Sequence, residues 1–555
     1  MSLPESLLRA PLSDIDLTVT HGTWPEGVHG EMFISAPVID DRLSYQLFGF
    51  GAMVRVSMQA GSHGAAPDRF ALRSQVIDTP VQRLHERMPE AFRGGMLGLE
   101  SPFGHANMVN TAPLGWDGRL FATWDVGRPV EVDPVSLRFL GEVGSTASWG
   151  GDSFGAKKPL PQVFSTAHPV VDPQRGCLWS VKLVLGKAGM EPQVVRYDGN
   201  GASVRTWSLP GATVIGSMHT IAQTEHWLVL ADSGNFKADM GEIMGGERTV
   251  MVDTTVPVYF VRKDEIDATP AGGELRYYSA TFGPTTGPYY GRWDDADGIH
   301  VLFEHMDLTD LGYRLLADDV DAAGRPINPA HVGFYNMAMS SQTISEVTFT
   351  PGDEHGVRTA SANDEWTWNL QLSAMDWSVE GMRTPTHHHV VFQGRRPSML
   401  ARRVLDVYRD RIGGPIDTAD QRASVATFAR DGLTVRGRYE FPSDGDLPSS
   451  PIFVPRQGGT PGGGDGWVIV PVLSDDGFRI ECFDAADVAG GPVATLSGDQ
   501  HQTMPFLLHA IWMPAATAAP DLERLRFADD LDEALLARLG DAERDAVMAV
   551  AAELG

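Results

Sequence analysis

Cysteine is nearly missing from this chain: there are two in 555 residues, Cys177 and Cys482. That excludes a disulfide framework and a cysteine-built zinc site. Cationic side chains are also scarce, with 44 Lys and Arg against 72 Asp and Glu, a net charge of −28. A nucleic-acid surface needs clustered cations, so that class of partner is excluded. Long apolar runs are missing too, since none approaches the ~20 residues of a transmembrane helix. The opening MSLPESLLRAPLSDID does not show the basic-then-apolar order of a secretory signal. The expected setting is cytoplasmic, with a peripheral membrane contact left open. Nothing in the sequence indicates an oligomeric state.

Turn chemistry is abundant, with 60 glycines and 37 prolines. Short apolar runs alternate with turn signals from about residue 15 to 515, as in GWDGRLFATWD (115–125), EHWLVLADSG (225–234) and ARDGLTVRGRYEF (429–441). Asp-Gly between extended runs marks a hairpin, because both central residues of a tight primed turn need positive φ. Many short strands in one long chain indicate an all-β propeller or a large barrel. No internal repeat sets the blade number. Helical periodicity is confined to 400–412, an excursion between strands, and to the tail 521–554, where Leu531, Leu535, Leu536 and Leu539 form a stripe. The expected organisation is a strand-rich body over 1–515 with a helical tail over 516–555 packed on it.

Three of the seventeen histidines stand in notable settings: His168 in FSTAHPVVDP, His219 in GSMHTIAQTEHWLVLAD and His509 in MPFLLHAIWMP. A single histidine in an apolar run is more often a satisfied core residue than a ligand. A buried imidazole must still satisfy both nitrogens, and several that converge can do so by sharing a metal. The run His387, His388, His389 reads as a solvated loop.

TAHPVVDP, then MHTIAQTEHWLVL, then LLHAIWMP, in that order and spacing, resemble the carotenoid cleavage oxygenase family. GTWPEGVHGEMFISAP (22–37), the segment 106–143 and SSPIFVPRQGGTPGGGDGW (449–467) extend the likeness over most of the chain. The resemblance implies a seven-bladed β-propeller with helical excursions, holding one Fe(II) per chain on its axis and using O₂ as co-substrate. It implies four imidazole ligands from four blades, here His168, His219, His305 and His509. The third motif differs from the family's. FEHMDLTD offers His305, with His300 second, and in an extended strand these two face opposite sides. An alternative alignment places the motif at 287–298, which has no histidine. Acceptors behind the ligands are implied at Asp125 and at Ser450, where the family carries glutamate. Trp124, Phe164, Tyr289, Phe303 and Phe506 are candidate lining for a substrate tunnel. Phe103, Phe154, Tyr290 and Trp512 are further candidates.

The implied reaction is oxidative cleavage of a conjugated C=C bond of a carotenoid or apocarotenoid into two carbonyl products. Lignostilbene-cleaving members carry a lysine just before the first acceptor. Trp124 stands there, which favours an apolar polyene over a phenolic stilbenoid. Stilbenoid cleavage, or a propeller that binds or isomerises an apolar ligand, are the alternative expectations.

Overall fold

The computed structural model describes the chain except for residues 1–13, 39–48, 60–66, 68, 96–97, 151–157, 161, 188, 202, 234–254, 284–286, 306–308, 333–334, 340–342, 363–384, 396, 410–420, 475–476, 499–503 and 555. The side chains of Tyr289 and His305, among others, also lie outside the described set.

Among the described residues the strands form seven antiparallel blades of a β-propeller. Blade 1 runs outward from Ala510–Met513 through Gly30–Val38 and Phe50–Gln59 to Arg69–Val76. Blade 2 begins at Ala112–Trp116 and blade 3 at the paired short segments Phe164–Ser165 and Val170–Asp172. Blades 4 and 5 begin at Ile221–Gln223 and Gly287–Gly291, blade 6 at His387–Phe392, and blade 7 at Leu447–Pro448 and Ile452–Pro455. Each blade is sandwiched between two others, so its central strands bury both faces. Residues 30–37 of blade 1 are all buried, as are 177–183 of blade 3 and 468–474 of blade 7. Such strands read as near-continuous apolar runs instead of alternating ones.

Both ends of the chain close the ring. Strand Ile15–Gly22 pairs with the outer strand of blade 1 (Ile15 opposite Leu72) and then with the outer strand of blade 7 (Thr18 opposite Ser497). At the other end, Ala510–Met513 returns to give blade 1 its inner strand, with Ala510 opposite Ile34. Closure leaves few exposed sheet edges.

Local chemistry matches these positions. Asp117 and Gly118 take φ of 49° and 74° in the hairpin that joins the first two strands of blade 2. The inner strands crowd one another. A Cβ added to Gly291 of blade 5 would lie 2.2 Å from the carbonyl oxygen of Gln223 in blade 4. Gly291→Ala is therefore expected to destabilise the protein by about 1–3 kcal/mol, read from its denaturant midpoint. An unchanged midpoint would refute this account of the contact.

Helices cover part of the ring. Pro80–Arg87, capped by the Thr79 hydroxyl, packs on the C-terminal helix Asp541–Leu554 through an apolar cluster that includes Leu84, Val547 and Val550. Arg83 and Arg87 both pair with Glu553. The segment before this helix is tied to blade 2 by Arg524, which donates two 2.9 Å bonds to buried Glu131. The tail's leucine stripe is only partly buried, with Leu536 its buried member. The excursion expected over 400–412 contains the helix Arg402–Val407. Among the described residues no helix is long and apolar enough to cross a membrane.

Candidate metal centre

Three of the singled-out histidines meet at corresponding places on three inner strands. His168 lies in the gap between Phe164–Ser165 and Val170–Asp172, both of which pair with Cys177–Leu185. His219 stands two residues before Ile221–Gln223, and His509 one residue before Ala510–Met513. At these points the backbone bonds sideways to a neighbouring segment. The His219 carbonyl accepts from the Thr166 hydroxyl at 2.8 Å and from the Ala167 N–H at 3.1 Å. The Ala167 carbonyl accepts from the Thr123 hydroxyl at 2.5 Å. The His509 carbonyl accepts from the Ser35 N–H at 3.0 Å.

The His168 ring is central. Its centroid is 4.9 Å from that of His219 and 4.5 Å from that of His509, with interplanar angles of 74° and 83°. Two imidazoles bound to one ion at about 2.1 Å, with a right angle between them, would hold their centroids about 4.6 Å apart. His168 Nε2 is buried without a hydrogen-bond partner among the described residues, a costly state for a polar atom. No group of three or more His, Cys, Asp or Glu side chains among the described residues closes into a finished ligand set. The ring spacing and the orphaned nitrogen weigh more, because small ring rotations move a nitrogen far more than they move a centroid. The donor set therefore fits a divalent transition metal, for which imidazole is a suitable ligand.

Asp125 lies behind His219. Its carboxylate oxygens are 3.0 and 2.9 Å from His219 Nδ1, so Nδ1 carries the proton and Nε2 is the basic nitrogen. Asp125 is held in turn by the strand that carries His168. The Ser165 N–H donates to the Asp125 carbonyl at 2.7 Å, and the Ser165 hydroxyl donates to the Trp124 and Gly127 carbonyls at 3.0 and 2.6 Å. Asp125 thus ties together the inner ends of three neighbouring blades. Burial, and then the nearness of His509 and His219, push the His168 pKa well below its usual value. Burial, and then His219, push His509 down to about 3. Both rings are neutral near pH 7, the state in which imidazole binds a metal.

Removing the Asp125 acceptor should leave the fold intact and loosen the site. Asp125→Ala is expected to weaken metal affinity by about 10- to 100-fold, measured by competition with a chelator. Asp125→Glu should recover part of that loss. Unchanged affinity in the alanine variant would disprove the role.

The other expected positions divide. Ser450 is buried in the gap of blade 7's inner strand, and its N–H donates to the Leu508 carbonyl at 3.3 Å. The Ser449 hydroxyl bonds the same carbonyl. These serines brace the residue before His509. Gln393, not singled out in the sequence, holds the corresponding place in blade 6. It follows His387–Phe392, is buried, and donates from Nε2 to the Pro448 carbonyl at 2.9 Å. Only its place after that inner strand could have marked it.

His305 ends Ile299–His305, the second strand of blade 5, one strand outward from the inner one. His300, on the same strand, does not join the three rings. Its Nδ1 is 3.0 Å from the Thr348 hydroxyl and its Nε2 is 3.2 Å from the Asp297 carboxylate. His387, His388 and His389 are corrected from loop to strand. They begin blade 6, with His388 and His389 buried, and His389 is held between Thr427 Oγ1 at 2.9 Å and the Gly463 carbonyl at 2.6 Å.

Trp124 stacks on His105 at 5.8 Å, in the apolar cluster that also contains Phe103. Partly buried Phe164 packs against the same cluster. These two flank the Asp125–Ser165 contact. Phe303 instead fills the core with Phe282 and Phe349. Phe506 and Trp512 belong to the core of blades 1 and 7, and Tyr290 is buried against His388. The side chain of Tyr289, and the whole of Phe154, lie outside the described residues.

This is the class of closed β-propellers that gather imidazoles from separate blades at the inner strands. The chain belongs to the family described as retinal pigment epithelial membrane protein, the carotenoid oxygenase family, whose profile matches residues 8–514. It is 22% identical over 426 residues to the apocarotenoid-15,15'-oxygenase of Synechocystis sp., covering 73% of each chain. It is 27% identical over 282 residues to resveratrol cleavage oxygenase 1 of Botryotinia fuckeliana, covering 46% of this chain and 45% of that one. The fold is similar to that of Pseudomonas brassicacearum lignostilbene dioxygenase, with a TM-score of 0.57 and 17% identity over 93% of this chain and 100% of that one. A cobalt-substituted Synechocystis apocarotenoid oxygenase matches with a TM-score of 0.60 and 16% identity, over 92% of this chain and 98% of that one.

Proposed function

We propose that this protein is a non-haem iron(II) dioxygenase that splits a conjugated C=C bond of an apolar polyene into two carbonyl products. The observation that carries the reading is the meeting of His168, His219 and His509 from three blades, with Asp125 behind His219. Both atoms of O₂ enter the products, one on each former alkene carbon, so no other oxidant is needed. Iron, when bound by these imidazoles, would supply the activation of dioxygen beside the alkene.

The chain's own residues do the rest. Burial keeps His168 and His509 neutral, so protons do not compete with the metal near pH 7. Asp125 fixes the His219 tautomer. Trp124 and Phe164 pack in one apolar cluster beside this contact; neither offers a cation to a phenolate, which favours a hydrocarbon chain. Stilbenoid cleavage is a second reading, favoured by the likeness to the resveratrol-cleaving relative.

The test uses iron-loaded full-length protein in aerobic assays, with an apocarotenal and, separately, a hydroxylated stilbene. Products are identified by mass and by ¹⁸O₂ incorporation. Two labelled carbonyl products from the polyene are expected. Cleavage of the stilbene alone would select the second reading, and no cleavage of either by iron-replete protein would overturn both.

A further inference from the structure

We propose that the protein's metal-ligand set is complete with three imidazoles, those of His168, His219 and His509. The place of a fourth is then left to an exogenous oxygen or nitrogen donor. This rests on the metal reading above and sharpens it.

Each of the three rings stands at the start of an inner strand or in a break within one. In blade 5 the inner strand is Gly287–Gly291. Among the described residues it pairs with one strand, Ile299–His305, with Gly287 opposite Glu304 and Gly291 opposite Val301. Its other edge faces inward, and Gly291 packs directly on Gln223 of blade 4's inner strand. The sequence has no histidine between His226 and His300, so this strand and its approach cannot supply an imidazole. His300 and His305 sit on the next strand outward. That strand is hydrogen-bonded on both sides, because His300 also lies opposite Thr348 and His305 opposite Thr343. A strand paired on both edges is not the innermost one.

Blades 6 and 7 do not make up the difference. At the corresponding places blade 6 carries Gln393 and blade 7 carries Ser450, both uncharged; Gln393 donates to the Pro448 carbonyl of blade 7, and Ser450 donates to the Leu508 carbonyl beside His509. His389 is buried on blade 6's inner strand, but both its nitrogens are bonded. A second, independent sign of a ligand site is the buried, unpartnered Nε2 of His168. On a six-coordinate ion three imidazoles leave three positions open where four leave two, and the one carboxylate described beside them, Asp125, is bonded to His219 Nδ1 and is not a ligand in this set. Such a site should take up a small anionic donor readily.

X-ray absorption of the Co(II)-loaded wild-type protein counts the imidazoles without relying on any variant. Three are expected, and four would overturn the proposal. Metal content provides the second measurement. His300→Ala and His305→Ala should each keep one metal per chain and the wild-type cobalt spectrum, whereas His168→Ala, His219→Ala and His509→Ala should each lose the metal. Azide titrated into the Co(II) protein should shift the visible bands saturably. Loss of metal from folded His305→Ala or His300→Ala would overturn the three-imidazole set while leaving the iron reading standing. A wild-type protein that takes up no stoichiometric metal would instead remove the iron reading itself.

Discussion

His168→Ala should purify as a folded propeller that carries no metal and has no oxygenase turnover. Its ring lies 4.9 and 4.5 Å from the other two imidazoles, so losing it removes the ligand that links them. The effect should exceed the roughly 10- to 100-fold loss expected when only the partner behind a ligand is removed. The fold should survive, because the residue's backbone role is untouched: its N–H still reaches the His219 carbonyl at 3.3 Å. Relieving a buried, unpartnered nitrogen should even offset part of the lost packing. Metal analysis beside a thermal melt checks both halves. A variant that retains stoichiometric iron would show that the histidine cluster is not the metal site.

The second large effect concerns stability. Lys263 and Asp172 are fully buried and 2.8 Å apart; Asp172 ends the inner strand of blade 3, and Lys263 directly follows the blade 4 strand Val256–Arg262. Lys263 Nζ also donates to Gln223 Oε1 at 2.9 Å and to the Thr224 carbonyl at 2.7 Å, and it lies over the Trp293 ring. Asp172 further accepts from the Trp179 indole at 3.2 Å. Lys263→Met would leave the buried Asp172 carboxylate with only the more distant Arg175 guanidinium, whose Nη1 lies 3.6 Å away, at a cost of about 3–5 kcal/mol. Adding Asp172→Asn should recover part of that loss, because the buried carboxylate charge is gone. A single variant as stable as wild type in denaturant would refute the account.

The same pair gives a pH dependence. Burial lowers the Lys263 pKa to about 8, although Asp172 pulls it upward. In the unfolded chain it returns to about 10.4. Between these values the unfolded state binds more protons, so this group's contribution to stability rises as pH increases through that window. The slope should be present in wild type and absent from Lys263→Met.

Much of the site could be read from the linear chain because its signals are local. An Asp-Gly pair announces its own hairpin through the φ values it permits, and 117–118 adopts them. The motifs around His168, His219 and His509 combine a polar ring with flanking apolar residues at strand starts, and all three rings converge. Asp125 was legible only through the family resemblance, which implies an acceptor at that position.

What could not be read depends on radial order. Strand periodicity tells which face a side chain occupies but not whether its strand is the first or second from the axis. FEHMDLTD looks like a ligand strand, yet the sheet order puts Ile299–His305 outside Gly287–Gly291. The run His387–His389 looks like a loop by composition, yet blade 6 buries it as an inner strand. Phe303 could have lined a tunnel or filled a core, and it is packing against Phe282 and Phe349 that assigns it to the core.

Composition and local pattern determined the all-β class and the turns, because each depends on neighbouring residues. Only the tertiary structure decided which strands lie innermost and which histidine rings stand side by side, because that follows from pairings between segments far apart in the chain.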